Sequence, residues 1–431
     1  MLVERGARGG TLSNASRLDP AGVSGAARTG AEPLEAWLGQ LAGTSPTFAQ
    51  LLEPPFEVQR ERGYGHTLRE ICQQPLTWPG TAAIMTAAAE RIDRALVAGG
   101  IPDGTGSLVL TGSGSSFFAG ECAAAPLQES LGVAARAVPA GSILTHPLAA
   151  LPPSGGFLAV SLARSGDSPE SGAVVERLLG DPRAAQLLIS CNRDGGLARR
   201  YRSTPRVETV VLAPETNDQS LVMTSSFTNL VLAARSLADR GGSYLESAEK
   251  LAGAARDLLA GRAGDVAALA RRPYPSVVYL ASGGRLGAAR ESALKMLESN
   301  AGAVVTLVDS FLGLRHGPMA AVAGDSLVVA FLSSDPVVRA YERDVLLELQ
   351  RKGLGRWRLV VGERIPPELA PGPEDVRIEG SGADRELVLL DAVVGQLLAF
   401  FRCLHGGGRP DSPSTGAIQR VVDTFAIHAG N

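Results

Sequence analysis

Short apolar runs alternate with helical stretches along most of the chain. These runs predict buried β-strands at residues 107–111, 155–161, 186–191 and 208–212 in the first half, and at 276–281, 326–332, 358–361 and 387–390 in the second. Apolar residues at near-helical spacing predict one helix over residues 81–98. Strands that alternate with helices indicate βαβ units, and therefore parallel sheets.

The two halves repeat one local pattern, in which an apolar strand leads into a Ser/Gly loop and then a helix. The sequence is LVLTGSGSS from Leu108 and VVYLASGGR from Val277. We therefore expect an α/β protein with two tandem doubly wound parallel-sheet domains, each an αβα sandwich. The expected segments are a disordered leader (1–33), a helical N-terminal segment (34–80), the two domains (81–250 and 251–403) and a C-terminal tail (404–431).

Composition narrows the class of protein. The 431 residues are 45% hydrophobic and 20% charged, which is typical of a globular protein with sizeable cores. The net charge of −3 disfavours nucleic acid as a partner, and we expect no membrane-spanning run and no signal peptide. The four cysteines lie far apart without the spacing of metal ligands, which predicts reduced thiols, a cytoplasmic location and no metal site.

Two loops rich in serine follow predicted strands of the first half. Ser113, Ser115 and Ser116 lie in the first loop, and Ser165 and Ser168 lie in the second. Hydroxyl groups, backbone N–H groups freed by glycine and a following helix N-terminus form a cradle for an anion. Ordinary turns and N-caps also favour Ser and Gly, and a nicotinamide site is disfavoured because GSGSS lacks the full G-x-G-x-x-G spacing. With both loops present, we favour an anion site.

A second group of candidate residues lies on one helix of the second half. Glu291, Lys295 and Glu298 recur at helical spacing and therefore share a face. A carboxylate beside an ammonium stays ionised and can act as a base, but an isolated surface Glu–Lys pair has the same spacing. Lys295 is one of three lysines among 41 lysine and arginine residues. His316 lies in a Gly/Pro loop, where it can meet a ligand, although a lone histidine is more often solvated or structural.

Longer segments carry a family resemblance. They include REICQQPLTWPG, SLARSGDSPES, CNRDGGL, APETNDQSLVMTSSFTN, LASGGRLGAARESALKMLES and DSFLGLRHGPMA. With them, most of the chain resembles the tandem SIS-domain family of galactosamine-6-phosphate deaminases and tagatose-6-phosphate ketose/aldose isomerases. The block from Ser282 to Pro318 also resembles, more distantly, the isomerase half of glucosamine-6-phosphate synthase. The glutaminase domain of that synthase has no counterpart here.

The resemblance implies that a sugar phosphate is the small-molecule partner. Ser115, Ser116, Ser165 and Ser168 would hold its phosphate group. Arg164 would lie beside them, at a position where the synthase has a neutral amide.

The resemblance also implies the catalytic roles. Glu298 would be the base that moves a proton between carbon 1 and carbon 2, Lys295 would neutralise the developing charge, and Glu291 would support Lys295. His316 would open the sugar ring from the neighbouring subunit, which implies a homodimer or a larger homo-oligomer. Arg420 stands where the synthase has a tail lysine, so the tail is expected to complete the site.

The implied activity is that of a cofactor-independent sugar-phosphate isomerase and deaminase. It would convert galactosamine 6-phosphate to tagatose 6-phosphate and ammonia through an enolamine or enediol intermediate. A related isomerase of specialised metabolism would use the same residues on another sugar phosphate. A non-catalytic sugar-phosphate sensor, or a structural protein that kept the fold, also stays open. Residues 1–80 show no clear DNA-recognition helix, which counts against a DNA-binding regulator.

Overall fold

A computed structural model of the chain describes residues 33–370, 372–373, 375–414, 416–420 and 426–428. The predicted leader, apart from residue 33, lies outside the described residues. The helices are α1 (Leu34–Thr44), α2 (Pro46–Leu52), α3 (Phe56–Glu61), α4 (Gly65–Cys72), α5 (Gln74–Ala87), α6 (Ala89–Ala98), α7 (Ser115–Leu131), α8 (Ala140–Thr145), α9 (Pro147–Ala150), α10 (Pro169–Leu179), α11 (Gly196–Tyr201), α12 (Ser225–Arg235), α13 (Gly242–Ala270), α14 (Arg285–Ser299), α15 (Phe311–Leu314), α16 (Pro336–Arg351) and α17 (Asp384–His405). The strands are β1 (Ser107–Gly112), β2 (Ala135–Pro139), β3 (Phe157–Ala163), β4 (Ala184–Ser190), β5 (Val207–Val211), β6 (Ser276–Ala281), β7 (Val305–Ser310), β8 (Leu327–Phe331), β9 (Trp357–Gly362) and β10 (Val376–Glu379).

Two five-stranded sheets organise the chain. Their strand orders are β2-β1-β3-β4-β5 and β7-β6-β8-β9-β10, and neighbouring strands run parallel. The two orders are the same when each sheet is counted from its own first strand. This is a doubly wound order, in which ligands bind at the carboxyl ends of the strands where the winding reverses. The predicted fold class and the predicted repeat are confirmed.

The prediction of a strand at residues 387–390 is wrong, because these residues lie in α17. A short apolar run does not distinguish a buried strand from a buried helix. The same helix corrects the expectation that no segment is long and apolar enough to cross a membrane. Its length and hydropathy pass that test, but 89% of the apolar window is buried inside the protein, as in the core helix of a soluble protein.

The other predicted strands are present, with ends shifted by one or two residues. The predicted helix over residues 81–98 is wrong in its extent, because α5 and α6 meet at Ala88, where φ is −89° and ψ is 5°. The sequence pattern misses β2, β7 and β10, which have partly exposed residues. Helices α1 to α4 and the start of α5 occupy the predicted helical segment. The domain limits stay predictions, and the limit at residue 250 falls inside α13.

Small residues let α14 pack closely against α7 and α17. A Cβ added at Gly287 of α14 would lie 2.7 Å from the Cys122 sulfur of α7. A Cβ added at Gly395 of α17 would collide with the Ser292 side chain of α14. Because these glycines have no side chain, α14 lies between its two neighbours with its polar residues against the start of α7.

Candidate active site

A cavity of about 520 Å³ opens at the carboxyl ends of β1 and β3. The loops that follow these strands form part of its wall, and α14 and tail residues 416–420 form the rest. Both halves of the chain therefore contribute to one cavity. The predicted site residues that line it are Ser115, Ser116, Arg164, Ser165, Ser168, Lys295, Glu298 and Arg420.

Two helices begin at the wall of this cavity. Helix α7 begins directly after Gly114, whose φ of 56° is a conformation that favours glycine. Helix α10 begins after Ser168, whose Oγ lies 2.7 Å from the Ser171 Oγ. The first N–H groups of a helix have no partner within the helix and attract anions. Together with the hydroxyls of Ser115 and Ser165, they give this edge of the sheet the groups that a phosphate needs.

Lys295 joins the two halves of the site. Its Nζ donates a hydrogen bond to the Ser115 Oγ at 3.1 Å and to the Glu298 Oε2 at 2.6 Å. The same Nζ lies 3.3 Å from the Glu291 Oε1. The Lys295 side chain is 2% exposed and that of Glu291 is fully buried, whereas the Glu298 side chain is 24% exposed. Glu298 is therefore the carboxylate of this group that meets the cavity.

Burial and charge act in opposite directions on this group. Burial raises the pKa of Glu291 to about 7, although the nearby Lys295 ammonium counteracts the rise. Burial by itself lowers the pKa of Lys295, but the Glu291 and Glu298 carboxylates outweigh it, so that the pKa is raised. Lys295 therefore stays a cation and can neutralise negative charge that develops on a bound molecule.

Arg164 and Arg420 are tied to the loop that follows β5. The Arg164 guanidinium donates to the Leu221 carbonyl at 2.9 Å and to the Arg420 carbonyl at 3.1 Å. The Arg420 guanidinium donates to the Asn217 Oδ1 at 3.0 Å and to the Asp218 carbonyl. Burial lowers the pKa of Arg164 from its usual value, while Asp218 counteracts this. Both cations thus hold the tail and the loop together while they line the cavity.

Two buried carboxylates behind the cavity, Glu70 and Asp218, escape the sequence analysis. Glu70 accepts hydrogen bonds from the Ser220 N–H, at 3.0 Å, and from the Ser220 hydroxyl. Asp218 accepts from the N–H groups of Thr224, at 2.8 Å, and Ser226, at 2.9 Å. Burial, with repulsion from Asp218, raises the pKa of Glu70 to about 8, and burial also raises the pKa of Asp218. Their place inside segments of family resemblance is the one sequence signal that could have indicated them.

His316 does not line the cavity of its own chain. It is exposed in the turn after α15, directly before Gly317. Its predicted part in ring opening therefore needs a second copy of the chain and stays a prediction. Across the described ranges, no group of three or more His, Cys, Asp or Glu side chains is arranged to hold a metal ion.

Curated relatives match along most of the chain. An AgaS relative from Streptomyces coelicolor is 36% identical over 392 residues, which cover 88% of this chain and 99% of the relative. The D-galactosamine-6-phosphate deaminase AgaS of Escherichia coli O157:H7 is 34% identical over 327 residues, which cover 74% of this chain and 85% of the relative. The chain belongs to the AgaS family. No model of a protein family matches this AgaS-family chain.

Solved structures agree with this assignment. The tagatose-6-phosphate ketose/aldose isomerase of Escherichia coli matches this AgaS-family chain with a TM-score of 0.75 and 29% identity, over 84% of the chain and 96% of that structure. The C-terminal domain of a glucosamine-fructose-6-phosphate aminotransferase from Francisella tularensis matches with a TM-score of 0.67 and 18% identity, over 81% and 98%. The second match supports the fold alone. The predicted family resemblance is confirmed.

Proposed function

We propose that the chain converts galactosamine 6-phosphate to tagatose 6-phosphate and ammonia. The observation that carries the proposal is the bonded group of Lys295, Glu298 and Ser115, which lies where an anion cradle meets a carboxylate at the cavity. Ser115 and the anion cradle can hold the phosphate at one end of a sugar, and Glu298 can move a proton at the other end. The deaminase name of the Escherichia coli relative supports the choice of substrate.

The phosphate group anchors the substrate in this proposal. Ser115, Ser116, Ser165 and Ser168 hold its oxygens, and Arg164 adds positive charge at the same edge. Binding energy from the phosphate then orients carbon 1 and carbon 2 of the open-chain sugar toward Glu298.

The chemical step is a proton transfer between neighbouring carbons. Glu298 removes the proton from carbon 2 of the open-chain amino sugar, and electrons of the broken C–H bond form a double bond between carbon 1 and carbon 2. Lys295, with Glu291 behind it, neutralises the charge that develops on the carbon 1 oxygen. The proton then returns to carbon 1, the carbon 1 oxygen takes up a proton and the amine loses one, which leaves an imine at carbon 2 and a hydroxyl at carbon 1. Water adds to the imine, the C–N bond breaks, and ammonia leaves with no change in overall oxidation state.

His316 opens the sugar ring in this proposal, and it acts from a second copy of the chain. This role is supported by the exposure of His316 in a turn that does not line the cavity of its own chain. A homodimer or a larger homo-oligomer follows from this arrangement. We place the reaction in the cytoplasm, where the buried, unpaired Cys72, Cys122, Cys191 and Cys403 stay reduced.

A plain aldose–ketose isomerase is the second candidate function. The match to the Escherichia coli tagatose-6-phosphate ketose/aldose isomerase favours it. The same residues would serve, because a hydroxyl at carbon 2 gives an enediol instead of an enolamine. The retained base and ammonium disfavour a non-catalytic sensor.

The test is ammonia release from the purified chain given galactosamine 6-phosphate, with glucosamine 6-phosphate and plain hexose 6-phosphates in parallel reactions. Ammonia from the galacto sugar supports the deaminase. Interconversion of an aldose and a ketose phosphate without ammonia release from either amino sugar supports the isomerase. Absence of turnover on every sugar, with binding retained, would contradict both.

The Glu298→Gln variant tests the proposed base. Glutamine keeps the size of the side chain but cannot accept the carbon 2 proton, so turnover should fall by about a thousandfold or more. Substrate-analogue affinity, measured by calorimetry with a hexitol 6-phosphate, should stay within a few-fold. Glu249→Gln, at an exposed position of α13, is the matched control and should keep full activity. Near-normal turnover in Glu298→Gln would remove Glu298 from the base role.

A further inference from the structure

A second polar cavity, of about 700 Å³, lies between α7, α12, α13 and the loop before α17. We call it the α13 cavity. It shares no lining residue with the candidate active site. Its volume is in the range of pockets that hold small metabolites. The residues that line it are Pro126, Leu127, Ser130, Arg235, Ala238, Asp239, Ser243, Tyr244, Glu246, Ser247, Lys250, Leu251, Ala254, Ser381, Gly382, Arg385 and Glu386.

Arg235 is an unusual lining residue, because it is a buried cation with an unused donor. The residue is 9% exposed, and its Nη1 is buried without a hydrogen-bond partner among the described residues. A buried, unpaired guanidinium nitrogen is costly, and a ligand that accepts its hydrogen bond would remove the cost. Arg235 therefore points to an anionic ligand.

Two more cations in the wall lack a direct ion-pair or hydrogen-bonding partner among the residues that the structure describes. Lys250 and Arg385 are exposed at the cavity, and neither forms an ion pair or side-chain hydrogen bond with another described residue. Lys250 is also one of the three lysines in this arginine-rich sequence. The Ser130 and Ser381 hydroxyls add further donors, whereas the Ser243 and Ser247 hydroxyls already donate to Asp239 and Glu386.

Two of the three acidic residues in the wall are already used. Asp239 accepts from the Gly241 N–H at 2.9 Å and from the Ser243 hydroxyl at 2.8 Å, where α13 begins. Glu386 accepts from the Ala383 N–H at 3.1 Å, where α17 begins. Both carboxylates still attract the cations of the wall, Glu386 acting on Arg235 and Asp239 on Arg385, but neither forms a salt bridge with them, nor does the exposed Glu246.

We propose that the α13 cavity binds the phosphate group of a second small molecule, with Arg235, Lys250 and Arg385 as its cationic ligands. Phosphate oxygens accept hydrogen bonds from guanidinium and ammonium groups. The three side chains supply two guanidinium groups and one ammonium group. The first turns of α13 and α17 lie in the same wall, with Asp239 and Glu386 already accepting from the N–H groups of Gly241 and Ala383 there. This site is independent of the proposed reaction and separate from the substrate cavity.

The test uses inorganic phosphate and the full chain, at constant ionic strength, with binding measured by calorimetry. The Ser165→Ala/Ser168→Ala variant weakens the candidate active site and should still bind one phosphate per chain. Adding Lys250→Ala/Arg385→Ala should weaken this remaining binding roughly tenfold or more, because charge-assisted hydrogen bonds are lost. Both positions are exposed, so the fold should be kept.

Arg351→Ala/Lys352→Ala on the Ser165→Ala/Ser168→Ala background is the control for net charge, because both residues are exposed at the end of α16. It should leave phosphate binding unchanged. Arg235→Met should act like the Lys250/Arg385 pair if circular dichroism shows a folded protein. The proposal is overturned if the Ser165→Ala/Ser168→Ala variant binds no phosphate, or if the cavity pair and the control pair weaken binding equally.

Discussion

At the residue scale, Lys295 shows why a lysine persists in a chain that otherwise uses arginine. Only three of its 41 basic residues are lysines. The Lys295 ammonium is fully buried and lies within 3.3 Å of oxygens from Ser115, Glu291 and Glu298. A point-like ammonium can face three partners in different directions, whereas a planar guanidinium is larger and directs its donors in one plane.

Lys295→Arg should therefore inactivate the enzyme although the charge is kept. The larger guanidinium should push Glu298 away from its position. A displacement of about 1 Å is enough to lower kcat/KM by about a hundredfold. The matched control is Lys352→Arg, at an exposed lysine that pairs with Glu348 across one helical turn, and it should keep kcat/KM. Steady-state kinetics on the preferred sugar phosphate measures both. Equal activity of the two variants would show that the site needs only a positive charge at residue 295.

Individual residues also show how much of the site the sequence can predict. Glu291, Lys295 and Glu298 are close in sequence, so helical spacing alone places them on one face. Glu70 meets Ser220 across 150 residues, and no local pattern predicts such a contact. Sequence reasoning therefore finds groups that line the cavity but misses the two buried carboxylates, Glu70 and Asp218, that hold the loop behind it.

At the element scale, the position of α14 depends on the missing side chains of its neighbours. Gly395 lies in the middle of α17, directly against Ser292 of α14. Helix α14 carries Lys295 and Glu298, so the separation of α14 from α17 also sets where these groups meet the cavity. This tight packing is invisible to apolar periodicity, because glycine adds nothing to an apolar stripe. The apolar run at 387–390 is equally ambiguous until its neighbours in space are known.

Gly395→Ala should destabilise the protein by about 1–3 kcal/mol, because the added methyl group overlaps Ser292 and forces the helices apart. Gly253→Ala on α13 is the matched control, since nothing lies within 4 Å of its added Cβ. That control should stabilise the protein by about 0.5–1 kcal/mol through helix propensity. Urea unfolding measures both, and kcat should fall only in Gly395→Ala. A gain in stability at Gly395 would mean that α14 and α17 have room to adjust.

At the scale of the whole molecule, two sheets of the same strand order have different carboxyl edges. The first sheet carries the open serine loops. In the second sheet, the buried Arg285 guanidinium lies at the matching edge and pairs with Asp391, with 2.6 Å between Nη2 and Oδ1. It also donates to the carbonyl of Leu332, directly after β8. An internal ion pair thus occupies the place where the first sheet can receive an anion.

Buried acids distributed over the molecule, among them Glu70, Glu291 and Asp391, make its stability depend on pH. The pKa is raised to about 8 for Glu70, to about 7 for Glu291 and to about 6 for Asp391, in each case first by burial. The folded state thus keeps protons that the unfolded state releases above its ordinary carboxyl pKa. The contribution of these groups to the free energy of unfolding is therefore greatest at acidic pH. It is lost as pH rises through the pKa values of the folded state. Carboxyls with lowered pKa values change the free energy of unfolding only at pH values below this range. They are Asp103, Asp181, Asp239, Glu348 and Glu368.

The free energy of unfolding should therefore fall between about pH 5 and pH 8, and Glu70→Gln should flatten this dependence. The neutral amide resembles the protonated acid and can still accept from the Ser220 N–H. Loss of one titrating group should reduce the slope by at most about 1.4 kcal/mol per pH unit. Urea unfolding at several pH values measures the slope, with the exposed Glu249→Gln as a control that should leave it unchanged. An unaltered slope in Glu70→Gln would mean that Glu70 is already ionised in the folded protein, with Arg164 as a compensating charge.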